Sequence, residues 1–367
     1  MIGRAERLAA AVRERDLDLL LVSNLVHVRW LTGFTGSNAL VVLSADGPGA
    51  GTLLTDFRYV DQVAEQVSGE WTVIQATQDL IGPGLGEHLG RIWPVEGVAR
   101  FGFDDRSLTV NALERVREAL GDCAQLVPAG GLVEPLREIK DAGEARRVRE
   151  AARLADRALL EVIERGLAGR SEVAVALDLE MTMRTLGAQA LSFQPIVAGG
   201  ARGALPHGEP RNVAIESGSL VTIDWGCRLD GYCSDCTRTF AVGGGVEDEA
   251  RAAYDLVLHA QESSLAAVAP GVECRDVDAV ARAIIDEAGY GDRFGHGLGH
   301  GVGLDIHEGP RLSRLSEATL APGMVVTVEP GVYLPGRFGI RIEDLVLVTN
   351  DGHEVLNGLP KGYQEVE

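Results

Sequence analysis

The chain has 367 residues, 46% hydrophobic and 24% charged, enough for two globular domains of ordinary composition. Its formal net charge of −20 argues against a phosphate-backbone partner, because nucleic-acid binding needs a basic face; no nucleic acid is expected. The opening MIGRAERLAAAVRER is amphipathic and charged, unlike a secretory leader, and the apolar stretch Leu17 to Val28 is broken by Asp18, Ser23, Asn24 and His27. That stretch falls short of the roughly 20 apolar residues that span a bilayer, so a cytoplasmic protein with no membrane partner is the expectation.

The first part, residues 1–130, reads as alternating helices and strands. A helix is predicted near Ala5 to Arg15, then strands at 17–23, 38–44 and 51–57, the last two separated by the turn-rich ADGPGAG. A helix near Tyr59 to Val67, a strand at 72–77 and a helix from Asn111 to Leu120 complete an α/β domain with helices packed on a sheet. Residues 131–140 read as a linker, and a second domain occupies 141–367. It opens with Asp141 as N-cap and Glu144 three residues on, heading a helix to about Arg165. Another helix starts after Ser171, with Glu172 in its first turn, and ends near Gly187; further helices follow at about 248–267 and 275–288 among glycine-rich hairpins.

Three segments of this second part carry the chemistry. Residues 219–242 read as a hairpin turning at Asp230-Gly231, which sets Asp224 opposite Thr237 and diagonal to Asp235. Aspartates in hairpins commonly face water, but the apolar alternate face of Val221, Ile223 and Trp225 makes a solvated pair a poor fit. Residues 323–349 read as a second hairpin turning near Gly336, with Glu329 opposite Glu343 and Arg341 on the face of Glu343. An Arg341–Glu343 ion pair would explain that segment alone. In both hairpins, however, like charges converge where they repel unless a proton or cation lies between them.

The third segment, FGHGLGHGVGLDIHEGP, holds three of the eight histidines, His296, His300 and His307, among glycines that permit close backbone approach to a ligand. His207 stands in GALPHGEP just before the first hairpin, whereas His27, His88, His259 and His353 are isolated and read as ordinary packing or surface residues. Four carboxylates and one imidazole form an oxygen-rich set suited to Mn²⁺, Co²⁺, Fe²⁺ or Zn²⁺, and bridging carboxylates let five side chains hold two ions. Of the five cysteines, Cys233 and Cys236 form a C-x-x-C pair without a second pair or a matching His pair. The cysteines, Cys227 included, are read as buried or half-buried packing residues.

The order Asp, Asp, His, Glu, Glu, set in IDWGCRLDGYCSDCTRT, HGLGHGVGLDIHEGP and VEPGVYLPGRFGIRIED, resembles the pita-bread metallopeptidases. Within them it is similar to the proline-specific branch, the Xaa-Pro dipeptidases (prolidases) and aminopeptidases P. VRWLTGFTGSNALVVLS (28–44) resembles their creatinase-like N-terminal domain and LREIKDAGE (136–144) their linker, so the likeness runs over nearly the whole chain. The resemblance implies an α/β creatinase-like domain followed by an α+β pita-bread catalytic domain. It implies two divalent metal ions, manganese foremost: Asp224 on one, His300 and Glu329 on the other, and Asp235 and Glu343 bridging.

By the same resemblance His296 and His307 contact the substrate, His207 lies near the scissile bond or the proline, and Arg341 supports the site. Glu329 shuttles a proton to the imide nitrogen. The implied substrate is a small peptide with proline second, and the implied assembly a homodimer. Cleavage of dipeptides is favoured over the aminopeptidase alternative by the compact length and the wording of the histidine segment. Methionine aminopeptidases usually lack so large an N-terminal domain, and the metal-free creatinase type lacks the carboxylates. A non-catalytic peptide-binding module on the same fold is the remaining alternative, against which stands retention of all five ligands.

Overall fold

A computed structural model describes residues 3–47, 51–92 and 97–367, so residues 48–50 of the expected turn lie outside the described residues. The chain divides into two compact units, Met1–Arg137 and Glu138–Glu367. In the first, helix α1 (Arg4–Glu14), strand β1 (Leu19–Val22), α2 (Leu25–Thr32), β2 (Ala39–Ser44), β3 (Gly51–Asp56), α3 (Val60–Gln66), β4 (Trp71–Ala76), α4 (Leu85–Ile92), β5 (Ala99–Phe103), α5 (Val110–Leu120) and β6 (Ala124–Pro128) follow one another. The strands form one mixed sheet in the order β4-β3-β2-β1-β5-β6, and apolar residues of α5, among them Val116 and Leu120, share a core with Leu19, Leu21, Val42, Ile74 and Phe101. The sequence reading did not anticipate α2, α4, β5 or β6. Helix α2 is short and apolar, set off by the Asn24 side chain, which accepts from Val26 N, and by Gly33 at φ 82°. The span expected as a linker contains a one-turn helix, α6 (Glu134–Glu138).

The second unit opens with α7 (Ala142–Glu164), where Asp141 accepts from Gly143 N and Glu144 N while the Glu144 carboxylate accepts from Asp141 N. There follow α8 (Glu172–Thr185), β7 (Ala190–Leu191), β8 (Ile196–Gly199), β9 (Ser219–Trp225), β10 (Cys227–Leu229), β11 (Tyr232–Cys233), β12 (Cys236–Val242), α9 (Asp248–Ala267) and α10 (Cys274–Glu287). The last strands are β13 (Gly299–Gly301), β14 (Glu308–Leu312), β15 (Val325–Val328), β16 (Gly331–Leu334), β17 (Phe338–Arg341), β18 (Asp344–Val348), β19 (His353–Val355) and β20 (Glu365–Val366). Helices α7 and α8 bury their apolar faces on Val221, Ile223, Trp225, Phe240 and Val242 of β9 and β12. Helices α9 and α10 do the same on Val326, Val328, Ile340 and Val346 of β15, β17 and β18. No helix among the described residues is long and apolar enough to cross a membrane.

Both expected hairpins keep their register but are broken. Asp224 faces Thr237, and Asp230 and Gly231 turn with φ of 47° and 82°, the left-handed pair that a two-residue hairpin turn needs. Beyond Gly226 the ribbon leaves the β20-β12-β9-β8 sheet, and β10 and β11 join β7 instead. In the second hairpin Leu334 faces Phe338 and Val328 faces Asp344, a register that carries Glu329 across from Glu343. Yet β15 and β18 belong to a five-stranded sheet, β16 and β17 to a separate ribbon, and the two glutamates fall in the gap. Asp235 likewise falls between β11 and β12. At the first break, a Cβ on Gly226 would overlap the carbonyl oxygen of Ser234. Gly226→Ala is therefore expected to force the strands apart, lowering stability by about 1–3 kcal/mol as overpacking does. Chemical denaturation would show it, and an unchanged midpoint would remove the close approach as the cause of the break.

Candidate metal centre

The sites of interruption are where the acids gather. Asp224 projects from the end of β9, Asp235 from the gap before β12, and Glu329 and Glu343 from the paired gaps of the second hairpin, while β13 supplies His300. The two sheets meet here through the backbone: Glu343 N donates to Thr237 O at 3.0 Å, and Thr239 Oγ1 donates to Arg341 O at 3.0 Å. Asp224, Asp235, His207, His296, His300, His307, Glu329, Arg341 and Glu343 all line one cavity of about 630 Å³, so the structure brings together every site residue expected from the sequence.

Asp224, Asp235 and Glu343 each offer a carboxylate oxygen within 4.8 Å of the others. Burial first, and then the neighbouring carboxylates, push Asp235 and Glu343 well above the usual carboxylate range. Burial also raises Glu329, to about 7, and raises Asp224 against the pull of Arg341. Arg341 answers part of this charge: its Nη2 donates to Asp224 Oδ2 at 2.6 Å and its Nε to Thr237 Oγ1 at 3.1 Å. Thr237 Oγ1 in turn donates to Glu343 Oε2 at 2.7 Å. Asp224 Oδ1, however, is buried and accepts from nothing among the described residues. A buried carboxylate oxygen without a donor is expensive, and a cation removes that penalty.

His300 makes the same point through its tautomer. Its Nδ1 lies 3.1 Å from Gly301 O, a carbonyl that can only accept, so Nδ1 carries the proton. Burial lowers its pKa to about 4, so the ring is neutral near pH 7 and Nε2 is a lone pair. That lone pair faces Glu329 Oε1 at 3.4 Å and Asp235 Oδ2 at 3.6 Å. Three acceptors converging on one space fit a metal ion, and a backbone carbonyl on the far ring nitrogen is the usual support of a ligating histidine. Four oxygen donors and one nitrogen suit borderline or hard divalent cations.

The remaining histidines stand on anchored segments. His296 has both nitrogens engaged: Nδ1 with Gly297 O at 2.8 Å and Nε2 with Tyr333 OH at 2.9 Å. Its segment is held by a buried Asp278–Arg282 pair, Asp278 accepting from Leu298 N and Arg282 donating to the carbonyls of Phe294 and His296. His307 packs edge-on against His300, ring centroids 4.4 Å apart, and its neighbour Glu308 pairs with the buried Lys140. His207 lies in the loop between β8 and β9.

Sequence reasoning missed three supporting residues: Tyr333, which accepts from Arg341 Nη1 at 3.1 Å; Thr237, placed in register but given no role; and Thr327, whose hydroxyl donates to Glu329 Oε1 at 3.0 Å. Tyr333 was within reach, because the hairpin register makes it a diagonal neighbour of Arg341. Cys227, Cys233 and Cys236 are buried free thiols, their pKa values raised by burial, whereas Cys123, read as buried or half-buried, is exposed.

An α/β domain ahead of two helix-covered sheets that close on an acid-lined cavity defines a two-domain metallopeptidase. Residues 146–350 match the model of metallopeptidase family M24, and residues 4–139 match the creatinase/prolidase N-terminal domain. The chain belongs to metallopeptidase family M24, with the pita-bread catalytic fold and the creatinase-like domain that the sequence motifs implied. It is similar to a Xaa-Pro dipeptidase structure from Bacillus anthracis, with TM-score 0.93 and 40% identity over 99% of each chain. A Xaa-Pro dipeptidase of Pyrococcus furiosus is 36% identical over 96% of this chain and 97% of its own. An X-Pro aminopeptidase structure from Thermotoga maritima has TM-score 0.88 and 34% identity over 97% of this chain and 99% of its own.

The crowded acids make a pH prediction. Glu329 moves from 4.5 to about 7 on folding, so between those values the folded protein holds more protons than the unfolded chain, and stability falls as pH rises. Below about pH 6.5 the buried His296 and His300, both held at about 4, work in the opposite sense, so metal-free protein is expected to melt at lower temperature as pH rises from about 6.5 to 7.5, and excess divalent cation to flatten that slope. Thermal unfolding with and without chelator checks it; a metal-free profile that rises or stays level across this window would contradict it.

Proposed function

We propose that this chain is a dinuclear, metal-dependent Xaa-Pro dipeptidase that hydrolyses the bond before proline. The carrying observation is the convergence of four carboxylates and the unprotonated Nε2 of His300 on one cavity floor, with Arg311 on the wall. Asp224 would hold one ion, His300 and Glu329 the other, and Asp235 and Glu343 would be shared between them. Manganese fits this donor set, as do cobalt, zinc and ferrous iron. Divalent ions bound there activate a water and polarise the scissile carbonyl. The similarity to proteins named Xaa-Pro dipeptidases over nearly the full length supports the choice of bond. A cytoplasmic homodimer, with the catalytic domain beginning at residue 141, completes the reading.

The chain's own groups divide the remaining work. An Xaa-Pro bond is a tertiary amide without an N–H, so the leaving imide nitrogen must be given a proton, and Glu329 is the carboxylate that delivers it. Arg341 holds Asp224 and Tyr333 in place by direct hydrogen bonds. His296, its nitrogens engaged with Gly297 and Tyr333, presents its ring to the substrate rather than a free donor. His307 and His207 face the cavity as donors to the carbonyl and to the proline side. Arg311, paired across β13 and β14 with His300, makes no ion pair among the described residues. It is the cation suited to the free carboxylate that directly follows proline in a dipeptide.

Asp235→Asn and Glu343→Gln are expected to abolish turnover and lower bound metal, read by elemental analysis beside a peptidase assay; full activity in either would sink the bridging role. A matched dipeptide and tripeptide separate dipeptidase from aminopeptidase. The dipeptide should be cleaved faster, and Arg311→Met should raise its KM about 10- to 100-fold while affecting the tripeptide less, in keeping with loss of a charge-assisted hydrogen bond of about 1.5–3 kcal/mol. Faster cleavage of the tripeptide would turn the assignment to the aminopeptidase.

A further inference from the structure

The acid in the first turn of α8 does more than complement a helix terminus. Glu172 is a carboxylate with 1% side-chain exposure, and its partners are the two ends of one loop. Oε1 accepts from Gly199 N at 2.9 Å, where the loop leaves β8, and Oε2 accepts from Arg211 N at 2.9 Å, where the chain returns. Arg202, inside the loop, donates its Nε to both carboxylate oxygens, at 3.0 and 2.9 Å, and its Nη2 to Glu209 O. The start of α8 closes the frame: Val173 N donates to Arg211 O and Glu172 N to Val213 O, which satisfies amides that a helix end leaves open.

What this frame carries is His207, which is itself exposed and lines the cavity wall. The loop also delivers Pro206 O to Arg341 Nη1 at 3.1 Å. A buried ion pair is weak evidence for stability, because desolvation of the two charges offsets much of their attraction. Its geometric effect is not offset: one carboxylate fixes entry, interior and exit of the same loop.

Resting on the reading above that His207 serves the reaction, we propose that Glu172, with Arg202, is a positioning residue that fixes the 199–211 loop and through it sets His207 over the cavity. Glu172 touches none of the reacting atoms; it acts through backbone bonds that no other carboxylate makes among the described residues.

Two measurements test this. Hydrogen exchange needs no turnover: in Glu172→Gln the amides of residues 199–211 should exchange at least about 10-fold faster while those of β9 and the later turns of α8 keep their protection. Unchanged loop protection overturns the proposal. A double-mutant cycle then asks whether the effect passes through His207: Glu172→Gln should lower kcat/KM for an Xaa-Pro dipeptide about 10-fold with metal content unchanged, and should add nothing in a His207→Ala background. Losses that multiply, or a fully active His207→Ala, overturn it. Arg202→Gln, which leaves the helix start intact, should show the same loop exchange and the same absence of a further loss, and serves should Glu172→Gln not fold. A wild-type protein inactive on Xaa-Pro peptides would defeat the functional reading, while the exchange experiment would still judge the loop.

Discussion

Repulsion among buried carboxylates organises the catalytic unit. Asp224, Asp235, Glu329 and Glu343 are brought together from two sheets, where burial raises the proton affinity of all four and neighbouring carboxylates raise that of Asp235, Glu329 and Glu343 further. A chain gains nothing from such an arrangement unless positive charge enters it, since an uncompensated buried charge costs several kcal/mol. Arg341 supplies part of that charge from within, bonding one oxygen of Asp224 and leaving the other without a donor. The rest of the site, including the tautomer of His300, fits a cation as the missing partner.

The geometry follows from interrupted strands. Continuous ribbons would set each pair of acids on one face of its own hairpin, by the period of two. Here the pairing registers continue across the breaks while the ribbons change sheets, so Asp235, Glu329 and Glu343 sit where a side chain can be re-aimed without losing ladder bonds. Gly226 permits one break by its lack of a Cβ. Behind the site, the buried Arg238 donates to Glu343 O, Leu359 O and Asp344 Oδ1, which holds the strand junction from the side opposite the cavity.

Much of this was legible in the residues. The Asp-Gly turn and the Gly336 turn each fix a register, and register with a period of two is enough to bring Asp224 near Asp235 and Glu329 opposite Glu343. Helices α7 and α8 announced themselves by Asp141 and Ser171 at their starts, whereas α9 and α10 have no side-chain cap. The breaks were not legible, because sheet membership depends on which distant strand lies alongside. Nor were β5 and β6: ARFGF and AQLVP are short runs whose strand character comes from parallel neighbours remote in sequence. The bonds of Tyr333 to His296 and of Thr327 to His300 N were not legible, because they join groups on strands remote in sequence.

The strand junctions that hold the acids have a mechanical consequence. The carboxylates of the centre stand at or beside the ends of different strands, so an ion accepted there would add a further tie between stretches of chain already joined by hydrogen bonds of Thr237, Thr239, Arg238 and Arg341. In a protein whose thiols are all free, coordination takes the place that a disulfide network holds elsewhere, as a cross-link closing long loops of sequence. On the proposed assignment, cohesion between the two sheets and reactivity in the cavity would draw on the same ions.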